Sequence, residues 1–426
     1  MNSDSSQRQS NDANDRESRA PVVLFIFAIC FFSFLCGFII AAKKLPPFKH
    51  LRNTYYEVID FARHWKNDLG DEPTRSLVPA APDRPPQILL APQAAAKGHR
   101  FVSGLMVGRE AGNGALLLSR AGEELHYWPI DYSKLDPKGL DPENVFLHGI
   151  GVFRDGSIVV NFDGGKVLAK LDACGESVWT ITGNYHHVVF QSYDGTIWTW
   201  EGKSIVQVEP DTGHILKRID LRDDIIEKHS LHGLFSIRAD EGEVGIKYLK
   251  DAWHPNDVDV LGPKMADAFP MFDTGDILIS LRSLNLVAVL DANDYQVKWS
   301  SIGPWHRQHD PDFLADGSIS VYNNNMGLGN SNIIKSYPGT NRTEIVFQGT
   351  EHIPFYSWQR GKHEILENGN ILVTEAERGR AFEVDRRGKV VWDYHNVYDD
   401  TRNGVLNKAM LLPVDYFEPG ALACKP

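Results

Sequence analysis

Cysteine is scarce in this chain, with 4 residues in 426, and no two of them form a CxxC pair. That argues against thiolate zinc sites and dithiol redox chemistry. Cys30 and Cys36 lie inside an apolar run, so only Cys174 and Cys424 belong to the soluble part, where they are available to pair in an oxidising compartment. Positive charge is not in excess either. A net charge of −12 argues against nucleic acid as a partner, because phosphate binding needs clustered Lys and Arg. Helical periodicity is nearly missing from residue 98 onward, where short alternating runs end in Gly, Asp, Asn or Pro turns. No zinc spacing such as H-E-x-x-H occurs, so no metal is expected.

The composition, 42% apolar and 23% charged, suffices for a large globular core. Residues 1–20 are polar and read as a disordered tail. Residues 21–42 carry no charge, and 22 apolar residues can cross a hydrocarbon core. The run exceeds the roughly 7–15 residues of a signal-peptide core, so an uncleaved, single-pass transmembrane anchor is expected, with cleavage after Ile40-Ala41-Ala42 as the alternative. Arg8, Arg16 and Arg19 precede it and Lys43, Lys44, Lys49 and Arg52 follow it, which leaves the charge rule undecided. A large domain behind one N-terminal anchor is expected on the exported, extracytoplasmic side. Residues 43–97 divide into an amphipathic juxtamembrane helix over 53–69, marked by Tyr55, Ile59, Phe61, Ala62 and Trp65, and a Pro/Ala spacer over 72–97. The folded domain is expected over 98–426.

Within that domain one phrase recurs: His, a few apolar residues, Asp-Gly or Asn-Gly, then an apolar strand. It runs from His148 to Gly156, His187 to Gly195, His309 to Gly317 and His363 to Gly369, with a stretched copy from His254 to Gly275. Each compact copy reads as a hairpin whose first strand is opened by histidine. A second phrase, a turn followed by a strand with a large apolar residue, ends at Trp128, Trp179, Leu216, Trp299, Phe347 and Trp392. Six copies at about 53 residues each suit four-stranded blades. The expected fold is all-β, a six-bladed β-propeller with an N-terminal transmembrane helix. The segment from Ala409 is placed to close the ring.

The phrases Trp253-His254-Pro-Asn, Ser-Leu-Arg282-Ser and Gln-His309-Asp-Pro-Asp, taken with His187, resemble the arylsulfotransferase family over roughly residues 100–420. The resemblance implies a six-bladed propeller that moves sulfate from a phenolic sulfate ester to a phenol, known from bacterial periplasms and independent of a nucleotide sulfate donor. No cofactor is implied. The family site has three histidines and one arginine. The resemblance implies His309 as nucleophile, His254 as partner histidine, Arg282 as the arginine and His187 as the third histidine. Val188 follows His187 where members often have Asp, so His186 is an alternative. The insertion between Asp259 and Asp273 also departs from the pattern by lengthening the gap from His254 to Arg282.

Chemistry agrees with these roles. Arg282 offers planar, permanently charged donors to sulfate oxygens. A neutral imidazole can attack sulfur and form an N-sulfonated intermediate. His254 or His187 can move the phenol proton. Trp253, Trp305 and Trp358 are candidate walls for a phenol ring. Strand capping is the competing account for histidines in a propeller, favoured for His148 and His363, balanced for His187 and disfavoured for His254 and His309. Arg282 could instead pair with a core Asp. The alternative function is a membrane-tethered propeller that binds a ligand or protein partner without catalysis.

Overall fold

The computed structural model describes residues 4–69, 72–80, 91–109, 112–139, 145–340 and 342–424. Residues 81–90 of the expected spacer lie outside them. The chain divides into two units, Met1–Glu72 and Pro73–Pro426.

The first unit is helical. Helix α1, Asp4–Lys43, begins within the polar segment and continues through the apolar run. Its stretch Pro21–Lys43, 23 residues at mean hydropathy 2.9, is long and apolar enough to cross a membrane, and no residue of it is buried against the rest of the chain. Side chains that are apolar all around a helix suit lipid. Helix α2, Phe48–Asp68, starts earlier than the amphipathic pattern implies and exposes Leu51, Tyr55, Val58, Phe61 and Trp65.

The second unit carries six antiparallel four-stranded sheets, the blades of a propeller. Blade 2 comprises Phe146–Val152, Ile158–Asp163, Val167–Leu171 and Ser177–Thr182. Blade 3 comprises Tyr185–Gln191, Ile197–Glu201, Ser204–Val208 and Ile215–Asp220. Blade 4 comprises Pro255–Val260, Ile277–Leu281, Leu286–Leu290 and Val297–Ile302. Blade 5 comprises His309–Phe313, Ile319–Asn323, Asn332–Ser336 and Thr343–Gln348. Blade 6 comprises Lys362–Ile365, Ile371–Glu375, Arg380–Val384 and Val390–His395. Blade 1 joins His99–Leu105, Asn113–Leu118 and Glu124–Ile130 to Leu406–Leu412, which pairs antiparallel with His99–Leu105 and closes the ring. The first strand of blades 2 to 6, and Leu406–Leu412 in blade 1, pack on one another around the axis.

The sequence phrases map onto this plan. The Gly of the histidine phrase turns the innermost strand into its neighbour, with φ of +85° at Gly195 and +78° at Gly317, a region that glycine enters without steric cost. The second phrase forms the outer hairpin, and Trp128 and Trp392 bury their rings between blades. Inner strands are covered on both faces, which is why Ile277–Leu281 is apolar apart from Ser280 and fully buried. Two further ties hold the ring. Arg100 of blade 1 donates to Glu383 of blade 6 at 2.6 Å, with both side chains fully buried. Cys174 and Cys424 are joined by a disulfide with Cα atoms 5.4 Å apart, so the C-terminal tail is bonded to the outer turn of blade 2.

Blades 3 and 4 are separated by an insertion. Leu221–Glu227 and His232–Phe235 are helical, and Ala239–Glu241 pairs with Ile246–Tyr248. Ile225, Ile226 and Phe235 join the core that contains Trp200 and Trp253, so this segment is part of the fold and delivers Asp251 to the axis.

Candidate active site

Every histidine of the repeated phrase sits at or beside the start of an innermost strand, hence at one end of the axis. Irregular pairing occurs at four of these places, between Leu147 and Gly149, opposite Trp198–Trp200, between Pro255 and Asp257, and between His309 and Asp312. Bulges of this kind re-aim side chains out of the ladder. The backbone is left-handed at His187 (φ +68°), His254 (φ +48°) and Asp310 (φ +51°), a conformation that costs non-glycine residues roughly 1–3 kcal/mol each.

The rings meet as a result. His187 lies 3.9 Å from His148, 5.1 Å from His254 and 6.4 Å from His309, centroid to centroid. His363 does not join them. Its ring is fully buried and its Nδ1 lies 3.1 Å from the Asp310 carboxylate, a structural contact between blades 5 and 6. His148, for which strand capping was favoured, is in the cluster.

Arg282 occupies a tight turn, Arg282–Leu284, between the second and third strands of blade 4. Its backbone N–H donates to the His254 carbonyl at 3.0 Å, and its Nη2 lies 3.4 Å from His254 Nδ1. The long sequence gap between the two therefore leaves them adjacent. The insertion over 261–276 projects from the other end of the inner strand, where Phe269 and Phe272 pack on Phe313. Among the described residues Arg282 forms no ion pair, and its buried Nε has no partner. Burial lowers its pKa, yet guanidinium stays protonated in proteins.

Hydrogen bonds locate the ring protons. Asn324 directs its Nδ2 to the carbonyls of Ser357 (2.7 Å) and Arg360 (2.8 Å), which orients Oδ1 toward His309 Nδ1 at 2.7 Å. An amide oxygen only accepts, so Nδ1 bears the proton and Nε2 the lone pair. His186 Nε2 donates to the Gly202 carbonyl at 2.9 Å, so its Nδ1 accepts from His187 Nδ1 at 2.7 Å. His254 Nδ1 donates to the Asp251 carboxylate at 2.7 Å. In His187, His254 and His309 alike, Nδ1 is engaged and Nε2 has no hydrogen-bond partner among the described residues.

All five rings titrate below the ordinary imidazole range. Burial is the main cause at each, followed by Arg282 at His309 and His254, by Arg360 at His148, and by neighbouring imidazoles at His187. Asp251 opposes the shift at His254. A positive guanidinium beside neutral imidazoles is a setting for an anion.

A cavity of about 490 Å³ is lined by Asp163, His186, His187, Lys203, Trp253 and His254. A narrow axial recess is lined by His148, His187, Asn256, His309, Arg360 and Lys362. His148 and His187 belong to both. A larger cavity of about 630 Å³ lies beside residues 93–97 and blade 6 and contains none of these groups. Lys362 is bonded to Asp257 (2.6 Å) and Asp310 (3.0 Å), so the carboxylates next to the axis already have a cation.

The tryptophans separate. Trp253 edges the cavity but is buried, with Nε1 donating to the Phe235 carbonyl at 3.0 Å. Trp305 is buried in the core of blades 4 and 5, donates to the Asn285 carbonyl at 2.8 Å and lines neither cavity. Trp358 is exposed and lines neither. Gln308 is structural, since its buried amide donates to Ser280 and to the Leu286 carbonyl, both at 3.0 Å. In sequence, Asn324 falls in the Val-Tyr-Asn-Asn stretch that belongs to the resemblance but carries no assigned role there, and Asp251 and Arg360 were missed.

No match was found among curated proteins. Among solved structures, a protein of unknown function from Bacteroides caccae is similar at 15% identity and TM-score 0.48, over 74% of this chain and 98% of that one. A virginiamycin B lyase from Staphylococcus aureus is similar at 13% identity and TM-score 0.36, over 58% of this chain and 69% of that one. The arylsulfotransferase (ASST) family matches residues 150–397, a span that starts in the first strand of blade 2, ends just past blade 6 and contains His187, His254, Arg282 and His309. With more than half its length matched, this chain belongs to the arylsulfotransferase family.

Proposed function

We propose that the protein transfers a sulfonyl group from an aryl sulfate ester to a phenolic acceptor in two displacements, with His309 as the group carrier. The observation that carries this reading is Arg282, which forms no ion pair among the described residues and lies beside the imidazole of His254, near His187 and His309, whose Nε2 atoms have no hydrogen-bond partner among those residues. In the first displacement the sulfate oxygens lie against Arg282 and His309 Nε2 attacks sulfur. The N–S bond forms as the bond from sulfur to the aryl oxygen breaks, and that oxygen leaves with the electron pair and takes the Nε2 proton of His254 in its imidazolium form, which Asp251 favours. In the second, the acceptor phenol returns a proton to His254 and its oxygen attacks sulfur, and the N–S electron pair goes back to Nε2. His187 is less suited to the proton step, because its Nδ1–H is held by the neutral imidazole of His186, whereas that of His254 is held by the Asp251 carboxylate. The aryl groups enter through the cavity beside His254, with the Trp253 edge as one wall.

The competing reading, a propeller that binds without catalysis, is favoured by histidines that are buried and hydrogen-bonded, as His309 is, and disfavoured by Arg282, which lies in a turn and forms no ion pair among the described residues. We further propose that Pro21–Lys43 is an uncleaved anchor and that the propeller is exported. The Cys174–Cys424 disulfide supports an oxidising compartment. The test is turnover of a chromogenic aryl sulfate by the full chain in detergent, with and without a second phenol. The reading expects release that depends on the acceptor and is abolished in His309→Ala. Retained turnover in that variant removes His309 from the nucleophile role.

A further inference from the structure

His309 and His254 are tied down in the same way, through Nδ1 at 2.7 Å, but to partners of different charge: the amide oxygen of Asn324 and the carboxylate of Asp251. We infer that Asn324 and Asp251 are positioning residues that divide the labour between the two histidines, the neutral partner making His309 a nucleophile and the anionic partner making His254 the proton carrier. This rests on the assignment of His309 as the group carrier.

The amide of Asn324 cannot turn over without loss of two hydrogen bonds, because its Nδ2 donates to both Ser357 and Arg360. The side chain is fully buried, and its backbone carbonyl accepts from Ser331 Oγ at 3.1 Å. His309 is thus held in one tautomer, with the lone pair on Nε2. The groups that face it are Arg282, Lys362, Arg360, His254, His187 and His148, cations and imidazoles, and among the described residues no carboxylate is bonded to the ring. Only the neutral Asn324 amide favours a second proton on this imidazole, against burial and the Arg282 and Lys362 cations. When Nε2 bonds to sulfur, positive charge spreads over the ring and the Nδ1–H becomes a stronger donor, which Asn324 Oδ1 accepts without taking the proton.

His254 faces Arg282, Asp251, Asp163, His186, His187 and His309. The Asp251 carboxylate offsets the cost of an imidazolium, so His254 can hold a proton on Nε2, pass it to the departing aryl oxygen and recover it from the acceptor. Asp251 is itself half exposed, so the dyad lies on the solvent side, where phenols enter, and the His309–Asn324 pair lies on the buried side.

The test uses the full chain in detergent and follows the first displacement, as phenol release and adduct mass, across pH and across donors with acidic and weakly acidic phenols. Asp251→Asn should slow transfer from the weakly acidic phenol by about 10²-fold or more, and transfer from the acidic phenol much less, since an acidic phenolate departs without a proton. Equal losses for both donors would overturn the role of Asp251. Asn324→Asp should move the acidic limb of adduct formation to higher pH, with rate recovered in alkali, and a lower rate with the limb unmoved would overturn the role of Asn324. Because the Asp side chain gives up two donated hydrogen bonds, imidazole nitrogen NMR of the unaltered protein, assigned by the His309→Ala difference, provides a second readout. It should show His309 protonated at Nδ1 and bare at Nε2, and the opposite tautomer overturns the inference. An adduct on another residue sinks the group-carrier assignment and this inference with it, whereas an adduct on His309 with unmoved profiles sinks this inference alone.

Discussion

Replacing Arg282 by Ala separates binding chemistry from architecture. The guanidinium forms no ion pair among the described residues and its Nε is unpartnered, so its loss strands no buried carboxylate. The bond from the residue 282 N–H to the His254 carbonyl, 3.0 Å, is made by the backbone and survives. Stability should therefore change by no more than about 1 kcal/mol. Transfer should fall much further, because a preorganised donor to developing charge is worth roughly 10²–10³ in rate, or about 3–4 kcal/mol. A second effect distinguishes this from a general loss of fit. Arg282 lowers the pKa of His309 and of His254. Without it both pKa values rise, less His309 is neutral at a given acidic pH, and the acidic limb of the rate profile moves to higher pH. Arg282→Lys keeps the charge but not the planar fork, so it should preserve the limb and recover only part of the rate. The assay is pH-dependent turnover of an aryl sulfate, paired with thermal melts. A loss equal at every pH, or a melt that collapses with activity, would refute the reasoning.

Three further outcomes are expected. Glu383 accepts from Arg100 (2.6 Å), the Ala96 N–H (2.7 Å) and Asn370 (2.6 Å) across the closure of blades 1 and 6. Glu383→Ala leaves a buried guanidinium unpaired and should cost about 3–5 kcal/mol in denaturant unfolding, with normal turnover from the molecules that fold. Cys424→Ser removes a crosslink between residues 250 apart, and should lower the unfolding free energy, read from denaturant melts under oxidising conditions, by at most about 5 kcal/mol on chain entropy, without altering transfer. Lys362→Met leaves Asp257 and Asp310 without their cation. Burial already raises the Asp257 pKa to about 6 against the pull of Lys362, and loss of the lysine raises it further. A carboxyl raised in the folded state loses stability as pH climbs, so this variant should melt at a relatively lower temperature near pH 8 than near pH 5.

Much of the propeller was legible because its two phrases are hairpins with different turns. Gly195 and Gly317 mark where inner strands reverse, and the large apolar residues from Trp128 to Trp392 mark outer strands. The proximity of Arg282 to His254 was legible in the resemblance and has a simple cause, since the end of one strand lies beside the start of its antiparallel neighbour. Other features left no periodic trace. Asn324, Asp251 and Arg360 come from strand ends and connections whose paths are fixed only by packing. The insertion at 221–253 adds helical turns and a small hairpin where only strands were expected. Aromatic residues were ambiguous for a related reason. A Trp in a strand reads the same whether it walls a pocket or fills a core, and the indole hydrogen bonds that place Trp305 in the core are invisible in sequence. His148 and His363 open the same phrase in different blades, yet His363 is bonded to Asp310 while His148 lies against His187 in the axial cluster, a difference the repeat does not encode.

The most direct measurement is a quenched single turnover. The full chain would be mixed with an aryl sulfate without acceptor, stopped, digested and mapped by mass under conditions that preserve N–S bonds. The account predicts one sulfonyl group, located on His309 and lost when a phenol is added before the quench. Release of phenol with no protein-bound sulfonyl group, or with that group on another residue, would contradict it.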